Sequence, residues 1–386
     1  PHPEGWHMVH AGIGTFGAEK LNQTDPSSPT VLDMHLEELK PDLYLSLIDP
    51  WFIGHAVLST NRTRTPYIAY LPVDGYPLSY QWSRILANLH TPLWMADFGK
   101  QQFTNFVERF GSDGEGPEDM HLDELDRFKA DSGPRIWHGV DEKVFRPMSL
   151  GEKEQARSRL GIKWETVFLS VGRNTNRKQI PRLLAAFKAM IEENPNEADN
   201  IGLILHCGDP TDTMGMGGWN LPELVKDMGL LKNVQFSDSS SNPLFGLSRS
   251  DLATLYGLAD VHVLATGGEG FGVPTIEAMA CGVPCILPDN STGPELIGDN
   301  NRGWLVKNKA SIVGQKWGVN MGIVDIDALK DAMWEAHVKS ALTREKGKNA
   351  RKFVEAHFTW DKIADEFHEL ITKTIENQVP WGMTDE

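Results

Sequence analysis

From Val167 onward, short apolar runs alternate with segments of helical spacing, and this rhythm limits the fold more than anything else in the chain. Val167–Val171, Ile201–His206, Val234–Phe236, Val261–Ala265, Cys285–Leu287 and Trp304–Val306 are short and mostly apolar. Continuous apolarity without polar alternation marks strands buried on both faces. Between them, Ile180–Met190, Leu221–Met228, Ser250–Leu258, Thr275–Ala280 and Ile326–Ala336 have helical spacing. Such alternation builds a parallel sheet covered by helices on both sides. The first half repeats the theme. Asp42–Leu47, Tyr67–Leu71 and Leu93–Ala96 read as strands, and Leu32–Leu39, Trp82–Leu89 and Lys100–Arg109 as helices. Residues 111–133, rich in Gly, Asp, Glu and Pro, read as an exposed excursion. At 386 residues the chain is too long for one ordinary domain. The expectation is an α/β chain of two Rossmann-like, doubly wound domains, divided just after Pro147. Such domains bind ligands at the carboxyl ends of their strands, here the cleft between them.

Charge and cysteine content narrow the partners. The chain has 37 basic and 53 acidic residues, a net charge of −16. That balance repels phosphate backbones and anionic lipid, so non-specific nucleic-acid or membrane binding is disfavoured, though a local basic groove stays open. No apolar run is long enough to span a bilayer. Three cysteines, Cys207, Cys281 and Cys285, read as reduced, buried thiols and a cytosolic setting. The Cys281/Cys285 spacing lacks the second pair that a metal site needs, so packing is the expected role.

The segment GGEGFGVPTIE, residues 267–277, joins an expected strand to an expected helix through four glycines. Free backbone N–H groups and a helix dipole at such a junction attract anions. It is neither a Walker loop nor a dinucleotide fingerprint. Glu269 on the loop and Glu277 in the helix can face one elongated ligand, and a carboxylate accepts from two neighbouring hydroxyls, as on a sugar or ribose. Taken alone, a solvated turn and a surface acid explain the pair equally well. The segment VGRNTNRKQ adds Arg173 and Lys178 after another strand. Two fixed cations there suit a diphosphate; they are equally ordinary surface bases. All four residues nevertheless emerge at the same sheet edge.

Glu269-x7-Glu277 within GGEGFGVPTIEAMACGVPCI resembles the signature of retaining GT-B glycosyltransferases, the E-x7-E or glycosyl transferases group 1 family. SVGRNTNRK resembles that family's donor-phosphate segment, WHGVDEKVFRP its interdomain junction, and FTWDKIADEF its closing helix. The likeness covers most of residues 135–370 and is looser before them. It implies an N-terminal acceptor-side domain over 1–147, a donor domain over 148–357, and a C-terminal helix over 358–386 that crosses back. It also implies a nucleotide-diphosphate sugar as donor substrate, with no separate cofactor. By the same resemblance, Arg173 and Lys178 bind the diphosphate and Glu277 takes the ribose hydroxyls. Glu269 contacts the transferred sugar, and the amides of Gly270, Phe271 and Gly272 meet sugar hydroxyls or phosphate. Val273 and Thr275 line the pocket, and the base rests near Asn174, Gly208 and residues 237–247. Glu269 is expected to act electrostatically rather than as a nucleophile. No metal is required: Asp325-Ile326-Asp327 precedes a helical run and reads as a cap. The acceptor is open: a glycan, a lipid-linked sugar, a small molecule or, against the charge balance, a nucleic-acid base. A non-catalytic protein that holds a nucleotide sugar or glycan is the competing expectation.

The chain also departs from that family's pattern. The first strand and helix of that family's N-terminal domain are expected to be missing, and Gly12–Gly17 reads as a turn within the domain rather than the family's glycine-rich loop. Where relatives often carry a histidine after a strand, Asp74 stands, in YLPVDG. It is a candidate acceptor-positioning base and, equally, a turn aspartate before glycine. Asp49 is a weaker candidate of the same kind, and His10 and His138 read as structural.

Overall fold

A computed structural model of the chain describes residues 29–57, 59, 64–212, 217–237, 247–314 and 318–377. His10, the Gly12–Gly17 turn and much of the 237–247 segment lie outside the described residues.

The first half holds β1 (Tyr44–Leu47), β2 (Tyr67–Leu71) and β3 (Thr91–Trp94), all parallel in the order β1-β2-β3. β2 is the central strand and is buried along its whole length. The helix Asp97–Phe110 packs Phe103, Phe106, Val107 and Phe110 into the core of this half. The expected helix over 82–89 is a single turn, Ser83–Leu86. The expected excursion over 111–133 is only partly exposed. Leu125 and Phe128 enter the core, and the Trp94 Nε1–H donates to the Ser132 carbonyl at 2.7 Å. Leu125 and Phe128 help fold the polar run back, because burying each stabilises by about 1.5–3 kcal/mol.

The second half contains β4 (Thr166–Val171), β5 (Ile201–His206), β6 (Val234–Phe236), β7 (Val261–Val263), β8 (Cys285–Pro288) and β9 (Gly303–Val306). They form one parallel sheet in the order β6-β5-β4-β7-β8-β9. The order reverses between β4 and β7, so loops leaving these neighbours splay to opposite faces and open a crevice. Apolar residues on the two faces fall into separate cores, one around Phe168, Phe187 and Ile286 and the other around Leu169, Met279 and Phe358. Cys207, Cys281 and Cys285 are free and buried in these cores. A hairpin follows, β10 (Asn308–Val313) antiparallel to β11 (Asn320–Val324). Asp325 caps the next helix, its Oδ1 accepting the N–H groups of Asp327 and Ala328 at 2.9 and 3.1 Å.

The halves meet through side chains and backbone. The helix Trp360–Glu376 sets Phe367 edge-on to Tyr70, ring centres 5.1 Å apart, and Val140 N–H donates to the Phe358 carbonyl at 2.8 Å. Glu295 of the second half accepts the N–H groups of Asp97 and Phe98 at 3.0 and 2.6 Å, at the start of the first half's long helix. A negative charge is favourable at that end of a helix. Tyr76 and Asn320 exchange backbone hydrogen bonds of 3.2 and 2.6 Å, so the hairpin also touches the first half.

Candidate active site

The loops after β4 and β7 flank the point where strand order reverses. After β4 the chain makes a 3-10 turn over Asn176–Lys178, and Gln179 follows at φ 45°. That left-handed residue starts the helix Ile180–Glu193. The turn brings Lys178 beneath the loop, where its Cε would lie 3.3 Å from a Cβ placed on Gly172. After β7, Thr266 ties the loop by accepting the Gly268 N–H at 3.3 Å and donating to its carbonyl at 3.0 Å. Glu269 N–H donates to Ser291 Oγ at 2.9 Å.

Here Lys178 Nζ lies 2.7 Å from Glu269 Oε1, and Arg177 reaches Glu269 Oε2 at 3.1 Å. Burial pushes the Glu269 carboxyl upward, but the two cations overcome it and hold it well below the usual carboxylate range. Arg177 also donates to the Gly268 carbonyl, and its Nε is 3.4 Å from Asp74 Oδ2 in the first half. Asp74 Oδ1 is buried with no hydrogen-bond partner among the described residues. Burial raises the Asp74 pKa to about 6; Arg177 opposes the rise, and Asp49 and Glu269 add to it.

Glu277 sits on the helix Val273–Ala280, away from that cluster. Its Oε2 accepts the hydroxyl of fully buried Tyr256 at 3.0 Å. Burial raises its pKa to about 7, while the Tyr256 bond and Arg249 pull the other way. Gly272, at φ 98°, is the N-cap of this helix, a conformation that suits glycine. Among the described residues, none accepts a hydrogen bond from the amides of Gly270, Phe271 or Gly272. Thr275 is buried beneath them and Val273 is half-buried. The Phe271 side chain turns inward, its ring 5.7 Å from that of Phe358.

Of the residues singled out from sequence, Lys178 and Glu269 touch, and Asp74 joins them through Arg177. Arg173 is exposed on the same loop and pairs with no carboxylate among the described residues. Asn174 is buried and occupied: its side chain donates to the carbonyls of Trp219 and Asp209 at 2.7 and 3.3 Å and accepts the Trp219 N–H at 3.2 Å. It clamps the loop after β5, whose Gly208, at φ 71°, faces open space. The bare faces of Gly268 and Gly270 turn to the first half rather than outward. A Cβ on Gly268 would stand 1.8 Å from the Asp74 carbonyl oxygen, and one on Gly270 2.4 Å from Pro72 Cβ. His138 packs against Trp360 with ring centres 5.0 Å apart, and its Nδ1 lies 2.7 Å from the Gly139 carbonyl oxygen.

Three further residues lack a role in the sequence reading. Arg177 hid beside Lys178 as one of two adjacent bases. Tyr256 reads as one more apolar helix position. His262, on β7, is wholly buried with both ring nitrogens unpartnered among the described residues. Burial lowers its pKa to about 3, Lys178 adds to this and Glu269 opposes it, so the ring is neutral.

The family described as glycosyl transferases group 1 matches residues 152–320. A D-inositol 3-phosphate glycosyltransferase from Thermobifida fusca is 26% identical over 218 residues, 54% of this chain and 48% of that protein. The N-acetyl-alpha-D-glucosaminyl L-malate synthase of Bacillus anthracis is 26% identical over 237 residues, 61% of this chain and 52% of its own. The chain thus spans about half the length of the curated relatives it matches. Among solved structures, a sucrose-phosphate synthase from Thermosynechococcus elongatus superposes with a TM-score of 0.69 at 22% identity, over 96% of this chain and 83% of that one. Anabaena HepE in complex with UDP and glucose gives 0.65 at 16% identity, over 89% and 82%. The architecture is the two-domain GT-B fold. Residues 152–320 thus carry a glycosyl transferases group 1 match, and the whole described chain shares its fold with solved GT-B structures.

Proposed function

We propose that the chain transfers a hexose from a UDP- or GDP-linked sugar to a hydroxyl acceptor, with retention at the anomeric carbon and without a metal ion. The observation that carries this reading is the Lys178–Glu269 contact at the crevice between β4 and β7. Breaking the sugar–phosphate bond develops negative charge on the diphosphate and positive charge at the anomeric carbon. Lys178, exposed Arg173 and the free amides of Gly270, Phe271 and Gly272 stabilise the first, a single donor shielded from water contributing roughly 2.7–4 kcal/mol. Glu269 stabilises the second and orients the sugar, while Glu277 accepts the ribose hydroxyls. The acceptor oxygen bonds to the anomeric carbon on the face from which the phosphate leaves, and the acceptor proton passes to the departing phosphate oxygen. Asp74, at the carboxyl end of β2, aligns the acceptor hydroxyl. Three unpaired, buried thiols suit a reducing, cytosolic setting.

The curated relatives are named for small acceptors, an inositol phosphate and malate, so the acceptor panel begins with small polyols and hydroxy acids. The test incubates the full chain with a panel of UDP- and GDP-sugars, with and without EDTA, and scores donor hydrolysis or transfer. Turnover with at least one donor, insensitive to EDTA and lost in Lys178→Ala, is expected. Nucleotide-sugar binding with no turnover for any acceptor would instead establish a non-catalytic binding protein.

A further inference from the structure

Arg177 is the most widely connected side chain of the cleft. It bridges Glu269 Oε2 at 3.1 Å and Asp74 Oδ2 at 3.4 Å, and it donates to the Gly268 carbonyl. Its own carbonyl accepts the Gly267 N–H at 2.7 Å, which fixes the turn against the glycine loop. Its side chain is 26% exposed, Asp74 18% and Glu269 12%, so these charges meet where water screens them poorly.

Glu269 therefore has a different cation on each oxygen, Lys178 on Oε1 and Arg177 on Oε2. The two cations differ in freedom. Lys178 ends in a compact ammonium on a flexible stem, with no other ion pair among the described residues. Arg177 is a planar fork anchored on three groups at once. A donor diphosphate draws Lys178 away from Oε1, and without Arg177 a buried carboxylate would stand unpaired, a strongly unfavourable state. Arg177 cannot follow Lys178 without releasing both the Gly268 carbonyl and Asp74.

We propose that Arg177 is a positioning residue: it holds Glu269 in place when Lys178 turns to the donor diphosphate, and through Asp74 it ties that placement to the apposition of the two halves. This rests on the donor-site reading of Lys178 and Glu269 above. Arg177 acts through its neighbours and does not itself bind phosphate. The role follows from its three anchors rather than from its position in the loop sequence.

The experiment compares the full chain with R177M, R177K, D74N and R177M/D74N, measuring turnover and, separately, UDP and GDP affinity by calorimetry. A positioning role predicts that R177M lowers kcat by about a hundredfold, the usual cost of a misplaced reacting group, while nucleotide affinity is unchanged. R177K recovers part of that loss, since it keeps the charge but not the fork. The R177M and D74N effects on kcat combine to less than their product, as residues in one network do. Wild-type kcat in R177M overturns the proposal. So does a parallel loss of nucleotide affinity and kcat, which would make Arg177 a direct phosphate ligand. Melting curves establish that R177M folds; if it does not, R177K carries the same test, with kcat reduced at constant affinity expected and equal losses overturning. A wild-type chain that binds neither nucleotide overturns the donor reading and this proposal together. Turnover by the wild type with equal turnover by R177M overturns the role of Arg177 alone.

Discussion

Glu277 and Asp74 sit on opposite sides of the cleft and both titrate close to neutrality, for the same reason: burial disfavours their charge. Glu277 ionises at about 7, so above that pH it can accept from two ribose hydroxyls, and below it one oxygen becomes a donor. Nucleotide affinity should weaken as pH falls through about 7. The Tyr256 hydroxyl favours the ionised form, so Tyr256→Phe should move this midpoint to higher pH. Calorimetric titrations of the wild type and the variant across pH check both statements. Asp74 ionises at about 6, so turnover that needs its carboxylate should rise with pH through that value. Asp74→Asn should flatten the rise and lower the plateau, as read from the pH profile of kcat at saturating donor. Glu269, paired on both oxygens, stays ionised across this range and adds no limb of its own.

At the scale of elements, the two glycine-loop positions that face the first half are the sharpest constraint. Gly268→Ala places a methyl group against the Asp74 carbonyl, and parting the halves relieves the clash more readily than unfolding either. Turnover should fall by about a hundredfold while nucleotide affinity and melting temperature change little, since the donor half is left intact. Steady-state kinetics beside calorimetry distinguish this from a folding defect. The buried parallel strands were legible because apolarity along β4, β5 and β8 is a local property of the chain. The hairpin β10–β11 was not legible, since β10 is short, mixes polar and apolar residues and is exposed along most of its length. Lys178 and Glu269 were legible through spacing within one sheet edge. Arg177 was not: adjacent bases look alike in sequence, and only the 3-10 turn over Asn176–Lys178 sets both against Glu269. Its Asp74 partner lies 103 positions away, across the two halves, beyond the reach of any local pattern.

For the whole molecule, Glu295 fastens the two halves together. Its carboxylate satisfies two amides at the start of the helix Asp97–Phe110 and lies 3.4 Å from Trp137 Nε1. Glu295→Ala leaves the exposed Asp97 amide to water, but the partly buried Phe98 amide loses its acceptor at a cost of roughly 1–3 kcal/mol. A lower denaturation midpoint, with nucleotide affinity retained, is the expected result in urea titrations followed by fluorescence. The aromatic cluster around Phe358 and Trp137, which Glu295 touches through Trp137, and the helix Trp360–Glu376 extend the same joint between the halves. No helix among the described residues is long and apolar enough to cross a membrane. The reciprocal bonds between Tyr76 and Asn320 have a measurable corollary. Parting the lobes frees both amides for exchange with deuterium, so their protection reports how much of the time the molecule stands open, without any substrate present.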